Sequence, residues 1–166
     1  VALTYSPVGI STMDPPPPGY RRDRWVRQLH GDDDVFERAV DALRTWRMHR
    51  NAGLVVEADG PPTVGVEVAM AAPLPVGYVD VVCRVVDVID EPDRYGFSYG
   101  TLPVHPEQGE EFFTVNRDAS GVVTFEIVAA SRLRHMLARA CPPVARLLQS
   151  RAIDRYLAAM QKAAMT

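Results

Sequence analysis

The sequence predicts an α+β fold in which a curved antiparallel sheet of about six to seven strands wraps one long C-terminal helix. Three observations carry that expectation. About six strand-like segments follow one another from Leu54 to Ala130 with no helix-length segment between them, which favours hairpins over helical crossovers. An amphipathic helical segment near Asp34 sets a first strand apart from the rest. From Val144 the apolar positions recur at helical spacing for about twenty residues, or roughly 30 Å of helix, long enough to cross a sheet. This is the helix-grip layout. A bent sheet and a rod laid across it can leave a gap that side chains do not fill, and such gaps bind apolar molecules. The rival arrangement is a fully packed core.

Taken in order, residues 1–19 form a proline-rich arm, because Pro15 to Pro18 can only be extended, and residues 20–166 form a single domain. A linker explains the arm better than a ligand for a partner's aromatic groove. Tyr20 to His30 (YRRDRWVRQLH) alternates imperfectly and reads as an edge strand. Its arginines among aromatics imitate a nucleic-acid platform, but the acidic balance of the chain argues for a solvated edge.

Asp34 and Glu37 have capping-box spacing, and Phe36, Ala39, Val40, Leu43 and Trp46 then recur as one helical face. Arg44, Arg47, His49 and Arg50 crowd the last turns, where positive charge complements the dipole. Leu54 to Ala58 and Thr63 to Met70 read as strands, and Ala71 to Gly77 as a loop. Tyr78 to Asp90 is apolar on nearly both faces, as in a central strand, yet carries Arg84. An embedded arginine needs a partner, so Arg84 is either salt-bridged or aimed at an acidic ligand group, the first being favoured. Arg94 to Leu102 completes a hairpin, and Glu111 to Asn116 with Val122 to Ala130 forms another. Ser131 is placed to cap a short helix interrupted by Pro142 and Pro143. The terminal helix carries the stripe Leu147, Leu148, Ala152, Tyr156, Ala159, Met160 and Ala163.

A chain of 166 residues buries a sufficient core without disulfides or a structural metal. Net charge of -3 and pI near 5.8 argue against nucleic-acid binding, which rests on a basic surface. Apolar runs are strand-sized, far short of the ~20 residues of a spanning helix, and no secretory leader pattern opens the sequence, so no membrane insertion and a cytoplasmic location are expected. Cys83 and Cys141 form no metal-type pair and fit a reducing compartment. Phosphate, dinucleotide, hydrolase-elbow and zincin motifs are missing, the four histidines are scattered, and no cofactor or metal is expected. Oligomeric state is not legible.

The candidate site is the stretch Tyr95 to Glu111. Tyr95, Phe97, Tyr99 and Thr101 share one strand face, while Gly96, Ser98 and Gly100 leave the other nearly bare, open to close approach. Pro103 and Pro106 stiffen the connection around His105. With a reference pKa near 6.5, His105 is suited to acid or base work, with Glu107, Glu110 or Glu111 orienting it and Tyr95 or Tyr99 donating to a ligand carbonyl; His105, Glu110 and Tyr99 form the candidate catalytic set. Arg84, Tyr95, Phe97, Glu107, Glu111, Trp46 and Glu126 are the candidate ligand-contacting residues, and Arg132 a further anion holder. The bland alternative is a rigid corner whose acids pair with Arg84 or Arg94.

The run YGTLPVHPEQGEE, with Leu3 to Gly9, Trp46 to Arg50, Cys83 to Val86, Gln149 and Tyr156, closely resembles the bacterial and plant domain-of-unknown-function family nineteen-ninety over almost the entire chain. The chain departs from that pattern at Val104, where glycine is usual, and at Leu133, where proline is usual. The family lends no catalytic assignment. Its layout looks like the START or birch-pollen-allergen superfamily, which implies binding of lipids, polyketides or hormones, and in some members their cyclisation or dehydration. Two functions are therefore expected to compete: a carrier or sensor of a small hydrophobic or amphipathic molecule, and a cofactor-independent cyclase, dehydratase or isomerase of secondary metabolism. A protein-interaction role for the arm is a third.

Overall fold

The computed structural model describes the backbone of residues 1–133 and 142–166, and the side chains of 1–132 and 147–166. Strands β1 (Arg21–Gln28), β2 (Val55–Ala58), β3 (Glu67–Pro73), β4 (Tyr78–Glu91), β5 (Arg94–Thr101), β6 (Glu107–Arg117) and β7 (Val123–Leu133) form one antiparallel sheet in the order β1-β7-β6-β5-β4-β3-β2. Each strand from β2 to β7 pairs with the next in sequence, and only β1 crosses over, to close against β7. Helices α1 (Val35–Arg44) and α2 (Arg47–Asn51) lie between β1 and β2, and both pack on the terminal helix α3 (Pro142–Met165). No described helix is long and apolar enough to cross a membrane.

Register explains how the sheet's two faces are used. Phe97, Phe113 and Ile127 stand side by side across β5, β6 and β7, all fully buried toward the helices. The next inward row is Tyr99, Glu111 and Ala129, and the adjacent outward row is Gly100, Glu110 and Ala130. Because side chains alternate along a strand, neighbouring acids in the sequence face opposite sides of the sheet.

The outward row is where residues 1–19 lie. Tyr5 and Ile10 are buried against Ala130. A Cβ at Gly100 would collide with the Tyr5 ring, so the bare face of β5 does admit a close approach, and what approaches is the chain's own N-terminal segment. Glu110 fastens that segment, accepting hydrogen bonds from Tyr5 Oη (2.7 Å), Gly9 N (2.8 Å), Ser11 N (3.4 Å) and Ser11 Oγ.

Several local expectations change. The helix after Asp34 does not run through Arg50, because Trp46 takes a left-handed conformation (φ 57°) and starts α2 in a new direction. Indole burial, an Nε1 hydrogen bond to Gly60 O at 3.0 Å and an edge-on contact with Phe97 hold it in that uncommon region. Asp34 makes no side-chain cap, and Glu37 reaches Arg117 instead. β3 starts at Glu67, leaving Val64 exposed, and runs on to Pro73. β6 starts at Glu107 and not at Glu111, so Glu107 and Glu110 lie on a strand. Ser131 belongs to β7, and the predicted short helix otherwise falls on residues 134–141, outside those described, together with His135 and Cys141. Pro142 and Pro143 open α3 and do not interrupt it, consistent with proline's tolerance in a first helical turn. Leu147 is exposed, and the buried stripe includes Ile153 and Leu157.

Candidate functional site

Between the inward row of the sheet and α3 is a pocket of about 170 Å³. It exists because small residues stand where the core could have been filled. Ala129 on β7 and Ala152 on α3 line it, alongside Leu54, Met70, Val81 and Ile153, whereas Gly109 on β6 is a glycine because a Cβ would run into the Ala130 carbonyl. One turn of the sheet away, the same layer is solid with aromatic rings, Phe113 touching Phe97, Tyr99, Phe125 and Tyr156 at centroid distances of 5.4–6.5 Å.

The polar part of the wall is concentrated on one side. Tyr99 Oη donates to Glu111 Oε2 at 2.9 Å, as their directly opposed positions on β5 and β6 allow. Burial raises the Glu111 carboxyl to about 7, the tyrosine hydrogen bond partly offsetting it and the nearby Glu107 carboxyl adding to it. Burial also raises Glu107, which hydrogen-bonds to Ser131. Tyr99 and Tyr156 are pushed far above the ordinary phenol range, mainly by burial and then by the Glu111 charge, so both remain neutral donors. Gln149 supplies an amide from α3.

His105 reaches this pocket from the proline-bracketed turn, with a different chemistry from that expected. Glu107 N donates to His105 Nδ1 at 3.0 Å, Glu107 O lies 3.2 Å from the same nitrogen, and burial pushes the imidazole down to about 4. At neutral pH it is an uncharged ring whose Nδ1 is already engaged. The group with neutral-range titration is Glu111.

Of the other expected site residues, Glu110 alone lines the pocket, and its carboxylate oxygens are turned away to Tyr5, Gly9 and Ser11. Arg84 points outward, pairing with Glu67 and donating to Val1 O, the structural alternative. Tyr95 is buried beneath Arg44, whose guanidinium lies 4.7 Å from its ring. Phe97 and Trp46 belong to the solid aromatic layer. Glu126 pairs with Arg24 at 2.7 Å on the outer side, and Arg132 with Gln108 over the Tyr20 ring. Glu110 holds the N-terminal segment, because its parity on β6 is opposite to that of Glu111. Among the described residues, no three histidine, cysteine or acidic side chains are grouped as a metal would require.

His49 is not the dipole complement that its place in the sequence predicts. The turn at Trp46 swings it into the core, where it is fully buried among Trp46, Phe97, Tyr99, Phe113 and Tyr156, and neither ring nitrogen has a hydrogen-bond partner. Burial lowers it to about 3, so it is neutral. A buried unmatched polar atom costs roughly 1–3 kcal/mol, a cost a leucine of similar size does not carry. His49→Leu is therefore expected to raise stability by about 1–3 kcal/mol in urea unfolding. A loss of stability would show that a buried water or other partner satisfies the ring.

The family model described as "Domain of unknown function (DUF1990)" matches residues 4–159. The chain belongs to the DUF1990 family. Within the curated collection it is similar to a "UPF0548 protein" of Deinococcus radiodurans, 43% identical over 81 residues, which is 49% of this chain and 41% of that protein. It is also similar to a "UPF0548 protein" of Dictyostelium discoideum, 29% identical over 84% of this chain and 70% of that one. The chain thus spans less than half of the bacterial relative it matches. Among solved structures, human StAR-related lipid transfer protein 5 superimposes with TM-score 0.64 at 13% identity, covering 89% of this chain and 87% of that one. A norcoclaurine synthase point mutant from Thalictrum, in complex with a transition-state analogue, gives TM-score 0.58 at 11% identity, covering 87% and 94%. At such identities the likeness is one of fold: this DUF1990 chain has the START and birch-pollen-allergen-like architecture expected from its sequence.

Proposed function

We propose that this chain binds a compact small molecule in the pocket between the sheet and α3, apolar over most of its surface, with one hydrogen-bonding end directed at Glu111 and Tyr99. The observation that carries this reading is the Glu111 carboxyl itself, held by Tyr99 against an otherwise largely apolar wall. Keeping a carboxyl there is costly for a core and useful for a site that must recognise something. The size matters. An engineered cavity of about 150 Å³ accepts benzene, so about 170 Å³ suits a single-ring molecule more than a sterol or a long acyl chain. That the fold is shared with a lipid transfer protein and a synthase supports a ligand-binding role without naming the ligand.

Native mass spectrometry for a co-purified molecule, followed by ligand-observed NMR with a library of single-ring compounds, tests this. Fragments that bind wild type are expected to be lost in Ala129→Leu, which fills the space beside Glu111. Absence of any binder, or binders indifferent to that substitution, would overturn the reading.

A second reading rests on one specific observation. A carboxyl near 7, hydrogen-bonded to a neutral tyrosine and facing a pocket, is poised for general acid or base catalysis at neutral pH. In this version Glu111 moves the proton and Tyr99 orients it, in place of His105 and Glu110. Turnover that falls in Glu111→Gln by far more than the accompanying loss of ligand affinity would separate enzyme from carrier.

A further inference from the structure

The pocket's charges point beyond its size to the chemical class of its ligand, on the premise of the binding reading above. Every element around Glu111 that presents a titratable group presents one that is neutral or acidic. Tyr99 faces it from β5, Tyr156 from α3 and Cys83 from β4, while Glu107 lies on its own strand and neutral His105 on the preceding turn. Among the described residues no lysine or arginine lines the pocket. Glu107 and Glu111 share a face because they are four residues apart on one strand, and β6 thereby directs two carboxyls into one apolar space.

We propose that the ligand is a small aromatic or alicyclic amine, bound as its cation, with the ammonium against Glu111 and the ring among Leu54, Ile153 and the faces of Tyr99 and Tyr156. An anion would add a third negative charge to a space that already disfavours two. A neutral alcohol would satisfy one hydrogen bond and leave the two acids repelling. A single ammonium cancels one of the two charges and so removes most of their mutual repulsion, and the tyrosine rings offer it their negative faces. Binding then drives Glu111 to its ionised form. Because that carboxyl titrates near 7, its ionised fraction rises from about a tenth at pH 6 to about nine-tenths at pH 8, and amine affinity should rise about tenfold over the same interval.

Benzylamine, benzyl alcohol and benzoate have one ring each and differ at the polar end, so calorimetric or NMR titration of the wild-type chain with these three separates the classes. Benzylamine is expected to bind at least tenfold tighter than benzyl alcohol at pH 8, benzoate to bind weakest, and the benzylamine advantage to shrink at pH 6 and vanish in Glu111→Gln. Equal or tighter binding of the alcohol or of benzoate would overturn the amine assignment while leaving the pocket's binding role intact. If none of the three binds and the single-ring library also yields no ligand, the binding reading itself falls, and the inference with it.

Discussion

Glu111→Gln is expected to make the protein more stable at pH 8, by about 3 kcal/mol, and to leave its stability nearly unchanged at pH 4. The sign follows from the direction of the shift. In the unfolded chain the carboxyl ionises near 4.5, and in the folded protein burial delays this to about 7. Below 4.5 both states are protonated and the residue has no pH-dependent effect. Between 4.5 and 7 the unfolded state loses its proton first, so the folded state is progressively disfavoured as pH rises, at ~1.4 kcal/mol per pH unit. Above 7 both states are ionised and the full penalty persists. Glutamine carries no charge to desolvate, and its carbonyl oxygen can still accept from Tyr99 Oη. It also removes the charge that helps to raise the tyrosines. Urea unfolding of wild type and variant at pH 4, 6 and 8 measures this directly. A variant less stable than wild type at pH 8 would mean that Glu111 has a compensating cation, and the electrostatic basis of the site would be wrong.

The same residue shows which parts of the molecule could be read from sequence. The strands β4, β5 and β7 are legible because they are runs rich in β-branched and aromatic residues bounded by turn residues, β5 buried throughout and β4 with Val81, Cys83 and Val85 buried on alternate positions. β6 was legible only from Glu111 onward. Pro103, Pro106 and three acids within a few residues look like loop chemistry, yet the inward parity of Phe113 and Val115, continued backward, reaches Glu111, Gly109 and Glu107 and passes over Glu110. That parity puts Glu110 on the face away from Glu111 and the pocket interior. His49 was hidden for another reason. Helical periodicity assumes that the helix continues, and the left-handed Trp46 redirects the chain three residues earlier. Tyr5 and Glu110 are 105 residues apart, and no local pattern announces that they meet. The pocket was foreseeable as a gap between sheet and helix, whereas its small volume depends on which alanines face each other, a matter of register.

Glu110→Ala is expected to release the N-terminal segment while sparing the pocket, and this gives the sharpest contrast with a catalytic role for that residue. The carboxylate is almost fully buried, and its oxygens receive four donors from Tyr5, Gly9 and Ser11. Removing it in place would strand those donors, at roughly 1–3 kcal/mol for each one left buried and unmade. The protein has a cheaper response, because residues 1–19 can lift away and return the donors to water. The loss is then limited to the free energy of docking the segment, below the sum that the stranded donors would cost in place. Lifting also uncovers Gly100 and Ala130. Limited proteolysis of the variant should therefore cut within residues 1–19 at a protease level that leaves wild type whole, with the rest of the chain resistant. Binding of a pocket ligand should change by no more than about threefold, since Glu111 and Glu110 look out from opposite faces of β6. Loss of ligand affinity or turnover with the segment still protected would place Glu110 back in the site, and would require the two faces of that strand to be coupled more tightly than their geometry implies.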